Sequence, residues 1–147
     1  MPLPRYANTD SLPPFLNRLK AKEHLLLCVL ADSNACNTNF KNDAKQWPEL
    51  LHSRLRDAFE TQALLLLNSG ISGDCVECAL ARFDTDVARF KPDLTILCLG
   101  SNDANRLEND VYERGMNQCL DQLEALGSLV LLRTPTTVME FEPAPPH

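Results

Sequence analysis

Four short, almost wholly apolar runs constrain this chain more than any other feature: residues 25–31 (LLLCVLA), 63–67 (ALLLL), 94–99 (LTILCL) and 128–132 (SLVLL). None alternates apolar with polar, so each predicts a strand buried on both faces. Between them run segments of helical period. Residues 11–22 read as a lead-in helix with prolines near its start. In 48–60, Pro48 suits a first turn, and Trp47, Leu51, Leu55 and Phe59 form an apolar stripe. In 74–90, Val76, Leu80, Phe83, Val87 and Phe90 share one face until Lys91-Pro92 ends the helix. In 109–126, Tyr112, Met116, Cys119, Leu123 and Leu126 do the same, with Gly127 as C-cap. Strand and helix in strict alternation with short connections predict an α/β fold, a parallel sheet covered by helices on both faces.

A length of 147 residues predicts a single domain, and no internal repeat divides it. Net charge is −6 without a basic run, which argues against nucleic acid or an anionic membrane as partner. The longest apolar run, 25–31, is too short to span a bilayer, and the opening residues lack the apolar stretch of a signal peptide. The expectation is a cytoplasmic protein with reduced thiols. Of the six cysteines, Cys28 and Cys98 fall inside apolar runs as small buried residues. Cys75 and Cys78 form a lone CxxC. Zinc would need a second pair or histidines at metal spacing, and neither follows; a redox dithiol is the lesser reading of the pair.

In an open parallel sheet, ligands bind beyond the carboxyl ends of the strands, where strand order reverses. Three such loops are small and polar: Asp32-Ser33-Asn34, the 68–74 stretch (NSGISGD), and Gly100-Ser101-Asn102-Asp103. One such loop would be an ordinary turn; three at one sheet edge point to function. Ser33, directly after a buried strand, can offer its hydroxyl to an acyl carbonyl if a base takes the proton. The resulting oxyanion needs donors, and the Gly73 backbone N–H and Asn102 side-chain amide suit that role.

These loops resemble the SGNH, or GDSL-type, hydrolases. Ala31-Asp32-Ser33 is similar to the family's Gly-Asp-Ser opening. Gly70-Ile71-Ser72-Gly73-Asp74 with Ala81-Arg82-Phe83-Asp84 is similar to its second block, and Gly100-Ser101-Asn102-Asp103 to its Gly-x-Asn-Asp block. The resemblance implies a flavodoxin-like three-layer α/β/α fold and hydrolysis of esters or thioesters. It implies Ser33 as nucleophile, with Gly73, Asn102 and the Ser33 N–H as oxyanion hole, a small-molecule ester as substrate, and neither metal nor organic cofactor.

Two departures stand out. Ala31 replaces the leading glycine, a small change where φ is negative. The family's closing Asp-x-x-His block, which supplies the base, has no counterpart: the chain ends Ala144-Pro145-Pro146-His147 in an irregular 137–147 tail. The sequence therefore reads as a domain of four strands, truncated before the fifth, with the edge of strand four open to dimerisation. His24 precedes strand one and reads as surface. His52 reads as a partly exposed helix residue, and His147 lacks an orienting partner.

A catalytically impaired relative that binds an acyl or carbohydrate ester is the alternative to an active esterase. A receiver-like signalling domain would use Asp32 and Asp103, but it wants paired acids after strand one and a lysine after strand five. The asparagine-bearing 34–46 loop, and Arg106 and Arg114, read by default as solvated surface.

Overall fold

A computed structural model gives the arrangement of residues 12–36 and 46–134, which are the residues described below. Within them the order is α1 (Leu12–Lys20), β1 (Leu25–Ala31), α2 (Trp47–Ala58), β2 (Leu64–Gly70), α3 (Val76–Ala81), α4 (Phe83–Asp86), β3 (Leu94–Cys98), α5 (Asn109–Ala125) and β4 (Leu129–Leu132). Short 3₁₀ turns follow α4 and β3, at Ala88–Phe90 and Asp103–Asn105. The 37–45 stretch of the asparagine-bearing loop lies outside the described residues, as does everything from residue 135 on. That includes the 137–147 tail, His147 and the position where a fifth strand would fall.

The strands form one parallel sheet in the order β2-β1-β3-β4. The chain steps from β1 outward to β2, then crosses to the far side of β1 for β3. That reversal between β1 and β3 is where an open α/β sheet forms its crevice. Two apolar clusters give the layers. On one face, Leu25, Leu27, Val29 and Ala31 of β1 and Leu94 and Ile96 of β3 pack with Phe15 and Leu19 of α1. The α2 stripe of Trp47, Leu51, Leu55 and Phe59 covers the same face. On the other, Cys28, Leu30 and Leu97 pack under Val76, Ala79 and Phe83 of α3–α4 and Cys119, Leu120 and Leu123 of α5. The result is the three-layer α/β/α arrangement expected from the apolar runs.

Three sequence expectations are corrected. The runs at 63–67 and 128–132 form the edge strands β2 and β4 and are not buried on both faces: Leu65 is 58% exposed and Leu132 39%. Asn68-Ser69-Gly70 does not turn the chain: these residues complete β2, pairing with Val29, Leu30 and Ala31. The parallel register of β1 overrides their turn propensity, because every residue of β1 finds a partner on this side. The 74–90 segment is not one helix. It breaks at Arg82, which leaves helical backbone angles (φ −105°, ψ 3°), and again at Val87 (φ −131°, ψ −61°). Val76, Phe83 and Val87 are buried as the stripe predicts, but Phe90, past the second break, is 42% exposed. The predicted ends of the other elements shift by a few residues at most, as helix and strand termini commonly do.

Gly70 brings the end of β2 against the turn that follows β1. A Cβ there would lie 2.9 Å from the Ala35 carbonyl carbon and 3.0 Å from the Cys36 nitrogen. Backbone cannot rotate out of the way, so the two loops can approach only over a glycine. Gly70→Ala is expected to lower stability by about 1–3 kcal/mol, measurable as a reduced denaturant midpoint at unchanged slope.

Candidate active site

The three polar loops meet at the carboxyl edge of the sheet because β1 pairs in register with both neighbours. Ala31 lies beside Gly70 on one side and Cys98 on the other. The three chains therefore leave the sheet at the same level.

Ser33 stands in the turn directly after β1, half-buried, between the fully buried Asp32 and half-buried Asn34. Asp32 fixes this turn. Its Oδ1 accepts from the Asn34 backbone N–H at 2.9 Å and from Asn34 Nδ2 at 2.8 Å, an Asx turn closed by its own neighbour. The same Nδ2 reaches Ser101 Oγ at 3.3 Å, linking the first loop to the third. The Asp32 N–H donates to the Cys98 carbonyl at 3.4 Å, a further tie to β3.

The second loop leaves β2 with the Ile71 N–H donating to the Ala31 carbonyl at 3.0 Å, then turns so that the Asp74 N–H meets the Ile71 carbonyl at 3.2 Å. Gly73 holds φ +76° in this turn, a left-handed conformation that L side chains rarely adopt. Its carbonyl accepts from Arg106 Nη1 at 2.8 Å. Asn102 donates its side-chain amide to the Asp74 carbonyl at 2.8 Å, one residue beyond Gly73. The next residue, Asp103, is 1% exposed and accepts the Val76 N–H at 2.8 Å, satisfying a donor at the start of α3. Thus Ser33, Gly73 and Asn102 stand in three loops that hydrogen bonds join into one edge. Asp32 and Asp103, the acids a receiver-like site would need, are instead buried and tie backbone together.

Arg82 holds the second loop from below. Its Nε and Nη2 donate to Asp74 Oδ2 at 3.1 and 2.6 Å. Nη1 donates to Ser69 Oγ at 2.6 Å and Asp86 Oδ2 at 3.1 Å, and Nη2 also meets the Ser69 carbonyl at 2.8 Å. All five guanidinium hydrogens are thereby used, and the Asp74 side chain is only 3% exposed. Nothing in the sequence reading assigned this role. The signal was present as an arginine inside the apolar stripe, with acids at 74 and 86. Arg106 is exposed, as expected, and from the surface it donates to the Gly73 carbonyl. Arg114 does sit at the surface, paired with Asp110 on α5 at 2.7 Å.

Residues 32–147 match the GDSL-like lipase/acylhydrolase family. The chain belongs to that family. Among solved structures it is similar to TesA, at 30% identity over 73% of this chain and 58% of that one, with a TM-score of 0.65. It also resembles the psychrotrophic esterase EstA from Pseudoalteromonas sp., at 21% identity over 73% of this chain and 57% of that one, TM-score 0.64. A two-domain esterase active on acetylated mannans shares the fold at 19% identity and TM-score 0.74, over 82% of this chain and 33% of its own. A curated relative, the uncharacterized lipoprotein YqeF of Bacillus subtilis (strain 168), is 35% identical over 80 residues, which cover 52% of this chain and 31% of that protein. The chain thus spans under a third of that relative and little more than half of TesA or EstA.

As a GDSL-family chain it has its two described histidines away from Ser33. His24 is exposed immediately before β1, at the amino edge of the sheet. His52, on α2, shares a hydrogen bond with the Leu64 carbonyl at 2.8 Å, at the first residue of β2. Among the described residues, no helix is long and apolar enough to cross a membrane, and no group of three or more His, Cys, Asp or Glu could hold a metal.

Removing Arg82 while Asp74 remains would leave a buried carboxylate without its partner. Arg82→Met is expected to cost about 3–5 kcal/mol, and adding Asp74→Asn should recover part of that loss. Denaturant unfolding of the two single variants and the double variant gives the coupling.

Proposed function

We propose that the chain carries the nucleophile and oxyanion-hole portion of a carboxylic ester hydrolase acting on ester or thioester (acyl or acetyl) bonds. Ser33 Oγ attacks the acyl carbonyl once a base has taken its proton. The tetrahedral oxyanion is held by the Ser33 and Gly73 N–H groups and the Asn102 amide. The observation that carries this reading is the Asn102–Asp74 hydrogen bond at 2.8 Å. An amide nitrogen has two hydrogens; one is spent on the Asp74 carbonyl, which fixes the group beside Gly73 and leaves the other for a ligand. Donors held in advance are worth most where charge appears only in the transition state. Membership of the GDSL-like family and the likeness to TesA at 30% identity support the same chemistry. EstA is a further fold relative, and its structure is described as inhibited by monoethylphosphonate. The substrate is a small molecule and the setting cytoplasmic, where reduced cysteines are expected.

A second reading is favoured by one observation: neither described histidine lies on the Ser33 side of the sheet. In that reading the crevice binds an acyl or carbohydrate ester without turning it over. A serine lacking a base near hydrogen-bond reach is a weak nucleophile at neutral pH.

A fluorophosphonate probe separates the two. The hydrolase reading expects labelling at Ser33, none in Ser33→Ala, and labelling slowed about 100- to 1,000-fold in Asn102→Ala. Folded wild-type protein that stays unlabelled yet binds an ester ligand would overturn the hydrolase reading in favour of the second.

A further inference from the structure

Cys75 and Cys78 stand apart from the other thiols. Cys75 is buried, immediately before α3, and Cys78 is exposed on the helix's first turn. The Cys75 thiol donates to Cys78 Sγ at 2.9 Å, so the sulfurs need approach by only about 0.9 Å to reach bonding distance. The remaining four cysteines are all buried. Burial pushes the Cys28 and Cys119 thiols up to about 12 and raises those of Cys98 and Cys75 as well, so what sets Cys75 apart is its contact with the exposed Cys78.

The dithiol is also wired to the crevice. The residues on either side of Cys75 are held by consecutive residues of the third loop. The Asp74 carbonyl accepts from Asn102, and the Val76 N–H donates to Asp103. Any restraint on Cys75 is therefore passed directly to the Gly73–Asp74 turn.

We propose that Cys75 and Cys78 are a redox-responsive dithiol that exchanges with small-molecule disulfides, and that its closure stiffens the turn bearing Gly73. Cys78, the accessible sulfur, attacks the small disulfide as thiolate. This forms a mixed disulfide and releases one thiolate of the reagent. Cys75, as thiolate, then attacks Cys78 Sγ, forming the internal bond and releasing the second thiolate. Two protein thiols are oxidised, one small disulfide is reduced to two thiols, and the two cysteine protons pass to the departing thiolates. The proposal goes beyond the hydrolase reading and does not depend on it.

The test equilibrates the whole chain in mixtures of reduced and oxidised glutathione, traps free thiols by alkylation, and maps them by mass spectrometry. The expected species has lost the mass of two hydrogens, carries a 75–78 crosslink and keeps four alkylatable thiols. Cys78→Ser should abolish it, and Cys75→Ser should leave glutathione on Cys78. A persistent glutathione adduct on wild-type Cys78, or earlier oxidation of another cysteine, would overturn the dithiol. Because Cys75 is buried, the exposed variant Cys78→Ser keeps the test valid even if Cys75→Ser does not fold. Amide hydrogen exchange over residues 72–77 reads the coupling: several-fold slower exchange in the oxidised protein is expected, and equal exchange in both forms would overturn it. Neither readout requires Ser33 to be a nucleophile.

Discussion

Everything at the carboxyl edge of this sheet hangs on the pairing of β1 with two neighbours at once. Ala31 is level with both Gly70 and Cys98, so three loops begin at the same height around the β1/β3 reversal. A slip of one residue in either pairing would move every side chain of the slipped strand to the opposite face and break its packing. It would also carry Gly73 or Asn102 away from Ser33. The register is secured by burial: Leu27, Cys28, Val29, Leu30 and Ala31 are all fully buried, sandwiched between α1–α2 and α3–α5. Apolar area removed from water on both faces of one strand makes it the part of the sheet least able to move.

On that rigid base the loops are organised by polar groups in a low-dielectric setting. Asp74, Asp32 and Asp103 are buried and Arg82 is partly so, and their hydrogen bonds fix backbone. Asp32 sets the turn around Ser33, Asp103 satisfies the first turn of α3, and Arg82 spends every donor it has on Ser69, Asp74 and Asp86. Burial of charge is costly without such pairing. Here the pairing falls at the carboxyl edge of the sheet, where the three loops are held together.

The same arrangement gives the CxxC pair a lever. A buried thiol flanked by two residues that the third loop holds is already part of the crevice's support. A covalent bond at that point would alter the freedom of the turn without touching Ser33. Redox state and ligand affinity would then be coupled through the entropy of one short segment.

Much of this was open to sequence reasoning. The unbroken apolar runs 25–31 and 94–99 read as strands buried on both faces, and the helical stripes between them dictate a layer on each face. The position of Ser33, Gly73 and Asn102 after successive strands then followed from parallel connectivity alone, because parallel strands all present their carboxyl ends to one edge. What composition and spacing could not supply were the long-range choices. Asn68-Ser69-Gly70 has turn chemistry, yet β1 recruits it as strand. The 74–90 stripe has an unbroken helical period, yet it breaks at Arg82, whose guanidinium is fully engaged with residues up to thirteen positions away. Local pattern encodes which face a residue turns inward, and that much the chain determined by itself. Which buried polar group meets which backbone atom depends on elements distant in sequence arriving together, and only the tertiary structure decided it.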